Sequence, residues 1–447
     1  MPEQVGGGPD RRAPGPEGVR IRLGGGRRRA GARAEARRKA VRVLRVAGAT
    51  LAVGLGAGVV GIVVDLALQL LEHLAFGYSG GTLLEGVTRA APWRRFASLA
   101  AAGALGAAGW WALRRWGARV VSVEQAAGGA RMPLATTLAN TALQVCIVGL
   151  GASIGREAAP RELGALLADR VARAARTGEA ESRILVACGA GAGLAAVYDV
   201  PFGGALFVVE VLLAEVSFAT VLPAFAAAAI AAFVARAVVP ITPMYALPHV
   251  ELTPELMAWA LPAGPVIGAA AAGFVRLARA GASTRPRGAA ILWAMPLLFA
   301  GVGAVSLVLP EVLGNGRAAA QTAFSATAPL ALVALLLLAK GATTLATIKA
   351  GAAGGTLTPS VAIGAMLGIA LGSAVDALAP GTSVAAFAFV GAAAFLASTM
   401  RAPMTGLVLV TEFTGQGPEL LIPAMVATAG ALAVVHFLER TRLRDVA

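Results

Sequence analysis

The sequence predicts an all-α polytopic membrane protein made of two inverted-topology repeats of tilted and re-entrant helices. Three observations lead to this prediction: an apolar composition, a series of runs long enough to cross a bilayer, and an internal repeat. Hydrophobic residues make up 57% of the 447 residues, charged residues only 14%, and 56 residues are glycine. Soluble globular proteins contain about 25% charged residues. The composition therefore excludes an ordinary soluble domain.

Long apolar runs supply the predicted membrane spans, because a transmembrane helix requires about 20 apolar residues. They lie at 46–71, 97–113, 134–154, 217–239, 256–276, 289–312, 326–348, 383–400 and 418–437. Shorter runs bounded by Gly and Pro predict broken or re-entrant helices that are buried in protein. These lie at 184–198, 201–214, 359–373 and 403–411. Strand-type alternation is absent, so the runs predict helices throughout.

A Gly, Pro and Arg-rich arm, residues 1–41, precedes the first span. Up to Lys39 it holds eleven Lys or Arg against four acids and has no apolar periodicity, so we expect it to be disordered. Positive charge beside a first span favours the cytoplasmic side, so both the arm and the tail 439–447 are expected there, next to anionic lipid. Nucleic-acid binding is disfavoured because this charge is not spread over a folded surface. We expect no C-terminal regulatory domain.

Residues that bind metals or act as nucleophiles are sparse. Cys146 and Cys188 lie in apolar runs and are predicted to be free thiols. The three histidines are scattered near segment ends, so we expect no metal site, no cofactor and no catalytic histidine. The stretch GASIG around Ser153 matches a hydrolase motif, but that motif needs a strand, a turn, a helix and a partner histidine. An enzyme is therefore disfavoured.

An internal echo divides the membrane part into a first repeat, 42–240, and a second repeat, 241–438. VPFGGALFVVEV and APMTGLVLVTEF share a Pro, a Gly three residues later and a Glu nine residues later. The matching positions are Pro201 and Pro403, Gly204 and Gly406, and Glu210 and Glu412. GREAAPRELGALL and GGTLTPSVAIGAML form a second echo in the same order and at a similar offset. Two such echoes indicate structural repeats.

The echoed segments also indicate what the protein binds. Each begins with Gly or Pro at a predicted helix start, where unpaired N–H groups and the positive end of the helix dipole lie. In transporters with inverted repeats, such discontinuous helices meet near the bilayer midplane. Helix N-termini that converge in a low dielectric bind anions. The sequence therefore predicts an anion pathway.

The same motifs resemble those of the CLC chloride channel and transporter family. GREAAP is similar to the family signature G-(K/R)-E-G-P, and GGTLTPS is similar to G-x-F-x-P. The segments that follow each signature also resemble the family, in the same order, from about residue 45 to 438. The resemblance implies a homodimer in which each subunit has its own anion pathway between two inverted halves, with transport of chloride or a similar small anion and, in some members, of protons.

The resemblance places Glu157 at the family's gating glutamate, whose carboxylate occupies an anion site and swings out when it is protonated or displaced. Backbone N–H groups of the two signatures are the expected anion donors, on residues Gly155, Arg156, Ala158, Thr356, Leu357 and Thr358. Arg156 is expected to shape the local field more than to bind the anion. A buried acid is costly and marks a functional site. The structural alternative is a Glu157 that snorkels or forms a salt bridge with Arg156.

Several positions depart from the family pattern. The serine of the family motif G-S-G-I-P belongs near RVVSVEQ, where Ser122 is either a weak anion ligand or an ordinary cap serine. Leu357 replaces the phenylalanine of G-x-F-x-P. The family's tyrosine after the last long helix has no counterpart, so we expect few hydroxyl donors at the central anion site. Lys349, ahead of the second signature, either attracts anions or reaches the headgroups.

One departure concerns proton coupling. In proton-coupled members an inner glutamate directly follows the residue that matches Glu210, and here that position is Val211, which cannot carry a proton. Glu215 lies one turn further and could substitute for the inner acid, but it is more simply read as a solvated helix-end acid. Glu210 and Glu412 are read as structural hydrogen-bond acceptors. The leading hypothesis is therefore an uncoupled chloride channel or uniporter gated by Glu157, and the alternative is a proton-coupled antiporter.

Overall fold

The computed structural model describes residues 25–239, 243–248, 250, 252–378 and 383–445. Within them the chain forms seventeen α-helices. These are α1 Gly25–Phe76, α2 Leu83–Arg89, α3 Pro92–Trp116, α4 Val123–Ala127, α5 Leu134–Gly149, α6 Ala158–Ala174, α7 Glu179–Tyr198, α8 Pro201–Leu206, α9 Phe218–Ala235, α10 Pro254–Ser283, α11 Ile291–Val308, α12 Arg317–Phe324, α13 Leu330–Lys349, α14 Leu357–Leu378, α15 Val384–Met400, α16 Pro403–Thr414 and α17 Leu421–Asp445. A π-helix, Phe207–Leu212, continues α8. The predicted all-α fold is confirmed.

Nine helices in the described part of the chain are long and apolar enough to cross a membrane. The predicted division into membrane-spanning and shorter segments is wrong for four helices. The runs 134–154 and 383–400 form shorter helices, α5 and α15, whereas 184–198 and 359–373 belong to helices of spanning length, α7 and α14. The first run is cut by a turn at Gly151, which has φ +103°. Helix α7 is lengthened by polar residues at its start, EAESR, which an apolar count omits.

The two ends of the chain are more helical than predicted. Residues 1–24 of the predicted disordered arm lie outside the described residues, but α1 already begins at Gly25. Alanine and arginine are strong helix formers, which accounts for the extension through residues 30–40. At the other end, α17 continues through most of the predicted tail, to Asp445. The boundary between repeats at residue 240 stays a prediction, since 240–242 are not described.

The two halves carry matching backbone features. Gly151 and Gly351 both adopt positive φ directly after α5 and α13, and Asp199 and Arg401 both adopt the left-handed conformation at the ends of α7 and α15. Helices α6 and α7 pack so closely that a methyl group on Gly164 would lie 2.1 Å from the Gly189 carbonyl oxygen. Small residues allow such backbone approach between membrane helices. From Val46 on, the chain forms one compact unit, so the repeats are interlocked rather than separate domains.

The halves also exchange helix caps. Glu210, on the π-helix of the first half, accepts hydrogen bonds from Met404 N (3.1 Å) and Thr405 N (2.7 Å) at the start of α16. Glu412, on α16, accepts from Phe202 N (3.0 Å) and Gly203 N (2.7 Å) at the start of α8. Each carboxylate therefore satisfies helix N–H groups that have no intrahelical partner. We call this arrangement the crossed caps, and it agrees with the structural role predicted for both acids.

We expect Glu412→Ala to lower the free energy of unfolding by about 1–3 kcal/mol, because two N–H groups of α8 would lose their acceptor. Thermal unfolding of the purified protein in detergent measures this change. Glu215→Ala is the matched control, since it removes an acid whose side chain is exposed. A Glu412→Ala protein as stable as the control would show that the crossed caps contribute nothing to stability.

Candidate functional site

Two loops, one from each half, meet at the centre of the candidate site. The first connects α5 to α6 and the second connects α13 to α14. Gly155 N donates to Gly355 O (2.8 Å) and Gly355 N donates to Gly155 O (3.1 Å), which makes an isolated antiparallel bridge. These two N–H groups are therefore occupied. The prediction that Gly155 offers its N–H group to an anion does not fit this geometry.

The Glu157 side chain is fully buried beside this bridge and points its carboxylate at the start of α14. Its Oε1 accepts a hydrogen bond from Leu357 N at 2.6 Å. Its Oε2 accepts from the Tyr198 hydroxyl at 3.2 Å and from the Thr358 hydroxyl at 3.4 Å. A backbone N–H at a helix N-terminus and two hydroxyls are groups that bind anions. The Glu157 carboxylate therefore occupies a small anion-binding site.

Both bridging glycines leave room for the carboxylate. A methyl group on Gly155 would lie 2.3 Å from Glu157 Oε2, and one on Gly355 would lie 1.9 Å from Oε1. Neither glycine has a positive φ, so the absence of a side chain, rather than backbone strain, is what the site requires. The role of Gly155 in the site is thus steric.

Arg156 points away from the carboxylate that follows it. Its guanidinium donates to Asp65 Oδ1 at 3.0 Å and to the Val197 carbonyl at 3.4 Å, and it lies over the Tyr198 ring at 4.9 Å. Asp65 and Arg156 are both largely buried and neutralise each other. The alternative of a salt bridge between Glu157 and Arg156 is therefore wrong: the partner of Arg156 is Asp65.

A polar cavity of about 300 Å³ lies next to Arg156 and Tyr198. Its other lining residues include Asp65, Glu72, His73, Tyr78, Asn315 and Arg317. The Tyr78 hydroxyl donates to Glu72 Oε2 at 3.3 Å. Burial, and then the charge of Glu72, raise the pKa of the Tyr78 phenol, so Tyr78 stays a neutral donor. Tyr198 both lines this cavity and contacts Glu157, so it lies between the cavity and the carboxylate.

Comparison with known proteins identifies the chain. The family model described as voltage gated chloride channel matches residues 99–436. The chain belongs to the voltage-gated chloride channel (CLC) family. A putative chloride channel protein, ClcB-like, of Ralstonia nicotianae is 34% identical over 67% of this chain and 72% of its own. The voltage-gated ClC-type chloride channel ClcB of Escherichia coli is 30% identical over 81% of this chain and 90% of its own.

Solved structures support the CLC fold. A slow cyanobacterial Cl⁻/H⁺ antiporter matches with a TM-score of 0.77 and 22% identity, over 88% of this chain and 95% of the antiporter. A CLC-type fluoride/proton antiporter matches with a TM-score of 0.70 and 21% identity, over 89% and 95%. The chain is therefore a multi-pass membrane protein of CLC architecture, with two inverted repeats, and it carries out CLC-type anion transport. The predicted resemblance is confirmed.

Other predicted residues of this CLC protein lie apart from Glu157. Ser122 is the N-cap of α4, where its hydroxyl accepts from Gln125 N at 3.3 Å, which fits the reading as a cap serine. Lys349 is the last residue of α13 and its side chain is exposed. Val211 lies half-buried in the π-helix, and Glu215 is exposed beyond it. Anion contacts of Ser122 and Lys349 stay predictions.

Sequence reasoning missed three residues of the site. Asp65 and Lys340 each interrupt a long apolar run, and intramembrane charges are functional candidates by default, so a signal was present for both. Tyr198 has a weaker signal, as a tyrosine directly before the left-handed turn that ends α7. The sequence predicted few hydroxyl donors at the central anion site. At Glu157 the structure shows two hydroxyl donors, those of Tyr198 and Thr358.

The hydrolase motif around Ser153 has a different explanation. Ser153 Oγ accepts a hydrogen bond from Lys340 Nζ at 2.8 Å, a contact that also occurs in serine–lysine hydrolases. Here Nζ also donates to the carbonyl oxygens of Val312 (2.9 Å) and Gly314 (2.8 Å), and both side chains are fully buried. Nζ is thereby held among three oxygens, two of which are backbone carbonyls of a second loop. Ser153 therefore serves the loop structure of this CLC protein.

Proposed function

We propose that the protein conducts chloride or a similar small anion passively, without proton coupling, and that Glu157 is the gate. The observation that carries this proposal is the position of the Glu157 carboxylate on Leu357 N–H and the hydroxyls of Tyr198 and Thr358. A tethered carboxylate and a free anion compete for these same donors. The pathway is closed while the Glu157 carboxylate occupies these donors. It opens when the carboxylate leaves and an anion binds in its place.

In the open state we propose that the anion takes the place of the carboxylate oxygens. Leu357 N–H and the Thr358 hydroxyl remain in place at the start of α14. The N–H groups of Arg156, Ala158 and Thr356 lie in or beside the same two helix starts and are proposed as further donors. The helix dipoles of α6 and α14 add to this attraction, because an anion is stabilised near a helix N-terminus.

The π-helix that continues α8, and the residues beyond it, support the absence of proton coupling. Val211 provides no titratable group where proton-coupled relatives carry an acid. The neighbouring Glu210 carboxylate is held by the α16 N-terminus through bonds of 2.7 and 3.1 Å, so it is not free to relay protons. Glu215 is exposed and lies beyond the π-helix. We infer that no side chain in this region passes protons to Glu157.

Proton-coupled antiport is the alternative, and the Tyr198 hydroxyl favours it. This hydroxyl touches Glu157, and Tyr198 also lines the polar cavity, so in this alternative protons reach Glu157 from the cavity through Tyr198. The solved structures named above are described as a Cl⁻/H⁺ antiporter and a fluoride/proton antiporter. Antiport additionally needs a route from the other side, by water or through Glu215.

Simultaneous chloride and pH recordings on proteoliposomes test the coupling. We expect chloride efflux to proceed without uphill proton movement, because the position of Val211 cannot carry a proton. Val211→Glu serves as the comparison variant, since it places an acid at that position. Proton uptake that follows a chloride gradient in the unmodified protein, and persists in Glu215→Gln, would establish antiport and overturn the channel reading.

We also propose the arrangement in the membrane. The basic arm and the tail place both termini in the cytoplasm, with the arm against anionic lipid. The exposed apolar side chains of α8, α9 and α16 include Phe202, Phe218, Phe233 and Met404. We propose that this face packs against a second copy of the chain in a homodimer and that the remaining apolar surface contacts membrane lipid.

A further inference from the structure

Lys340 is a charged residue that the proposed gating does not use. It lies in the middle of α13, a helix of spanning length, and its side chain is fully buried. Burying an ammonium in a membrane helix is costly, so such residues are retained for a function. All three contacts of its Nζ are neutral oxygens: Ser153 Oγ at 2.8 Å, Val312 O at 2.9 Å and Gly314 O at 2.8 Å.

These contacts connect Lys340 to both sides of the Glu157 site. Ser153 belongs to the loop that carries Gly155 and Glu157. On the other side, a methyl group on Gly316 would lie 3.2 Å from Lys340 Cε and 3.3 Å from the carbonyl oxygen of Thr358. Lys340 and the first turn of α14 are therefore neighbours across Gly316. The Thr358 hydroxyl in this turn contacts the Glu157 carboxylate.

The charge of Lys340 differs from that of Arg156 in one respect. Arg156 forms a salt bridge with Asp65, whose negative charge opposes that of the guanidinium. Among the described residues, no salt bridge involves Lys340. A positive charge without a nearby carboxylate acts over a longer distance in the low dielectric of a membrane protein. An ammonium at Lys340 would therefore act on the site without such a counter-charge in a salt bridge.

We infer that Lys340 carries its proton and is a positioning residue for anion binding: its ammonium, held between the Glu157 loop and the Val312–Gly314 loop, sets anion affinity at the Glu157 site through its charge. This inference rests on the proposed function of Glu157. The ligand class is a small inorganic anion, and chloride is the probe.

Chloride titration calorimetry on the purified full chain tests the inference in a Glu157→Ala background, where no carboxylate competes for the site. Adding Lys340→Met, which removes the charge, is expected to weaken chloride binding about tenfold. Adding Lys340→Arg is expected to keep affinity within about threefold, since the charge remains. Lys39→Met is the matched control, because it removes a lysine with an exposed side chain in the arm, and it should leave affinity unchanged.

Ser153→Ala keeps the ammonium and removes one of its contacts, so it separates charge from loop structure. We expect it to retain chloride affinity, and it remains informative if Lys340→Met does not fold. A tenfold loss in Ser153→Ala, or unchanged affinity in a folded Lys340→Met protein, would overturn the role of the charge. A Glu157→Ala protein that binds no chloride would instead contradict the proposed gate, whatever Lys340 does.

Discussion

Glu157→Ala is expected to raise chloride flux at neutral pH about 10- to 100-fold, the gain for a gate that closes the site in about 90–99% of molecules. The alanine cannot reach Leu357 N–H or the hydroxyls of Tyr198 and Thr358, so these donors become free for the anion. Glu157→Gln should have a similar effect, because the neutral amide resembles the protonated acid and competes poorly for N–H donors. Chloride efflux per folded protein from proteoliposomes measures both variants.

The pH response of flux is the second readout of these variants. Both variants should lose any pH response of flux that arises from Glu157 in the unmodified protein, since neither carries the carboxylate. Glu215→Ala, which removes an exposed acid, is the control and should keep it. Folded Glu157→Ala and Glu157→Gln proteins that retain the pH response would exclude Glu157 as the gate.

Gly355→Ala is expected to reduce chloride flux by at least about tenfold, and Glu157→Ala should not restore it. The added methyl group would lie 1.9 Å from the position of Glu157 Oε1, far inside any van der Waals contact. In the unmodified background it displaces the carboxylate, and in the Glu157→Ala background it occupies the space that the anion needs. Its three closest neighbours are all atoms of the Glu157 side chain, so the double variant should fold without strain.

Flux through the double variant decides whether anion and carboxylate share one site. Gly273→Ala is the matched control, since a methyl group there meets no atom within 4 Å. Alanine is also a better helix former than glycine, so the control should fold at least as well. High flux through Gly355→Ala combined with Glu157→Ala would mean that the anion passes elsewhere.

The fold and the position of the proposed gate were predictable from the sequence. Apolar runs, Gly and Pro boundaries and the two echoes indicated the helices and their repeat, and the resemblance of GREAAP to the family signature pointed to Glu157. A count of apolar residues misjudged the lengths of four helices, α5, α7, α14 and α15. Such a count does not detect a turn such as that at Gly151, and it does not extend a helix through polar residues.

The partners of the charged residues were not predictable, because they come from distant parts of the chain. Arg156 follows Gly155 in a signature motif, yet its partner Asp65 lies 91 positions earlier. The three acceptors of Lys340 lie on loops 26 to 187 positions away. Sequence adjacency suggested a pair between Arg156 and Glu157, but the two side chains leave the backbone in different directions. Only the tertiary structure assigns these contacts.

The crossed caps have a consequence for biosynthesis. The first half contains Glu210, whose acceptor oxygens are filled by N–H groups 194 and 195 positions later in the chain. Ribosomes add roughly 5–20 residues per second, so the first half waits about 10–40 s before its partner helix is made. During this interval the α8 start and the Glu210 carboxylate lack their final partners. We therefore expect the first half to reach its final stability only after α16 has been made.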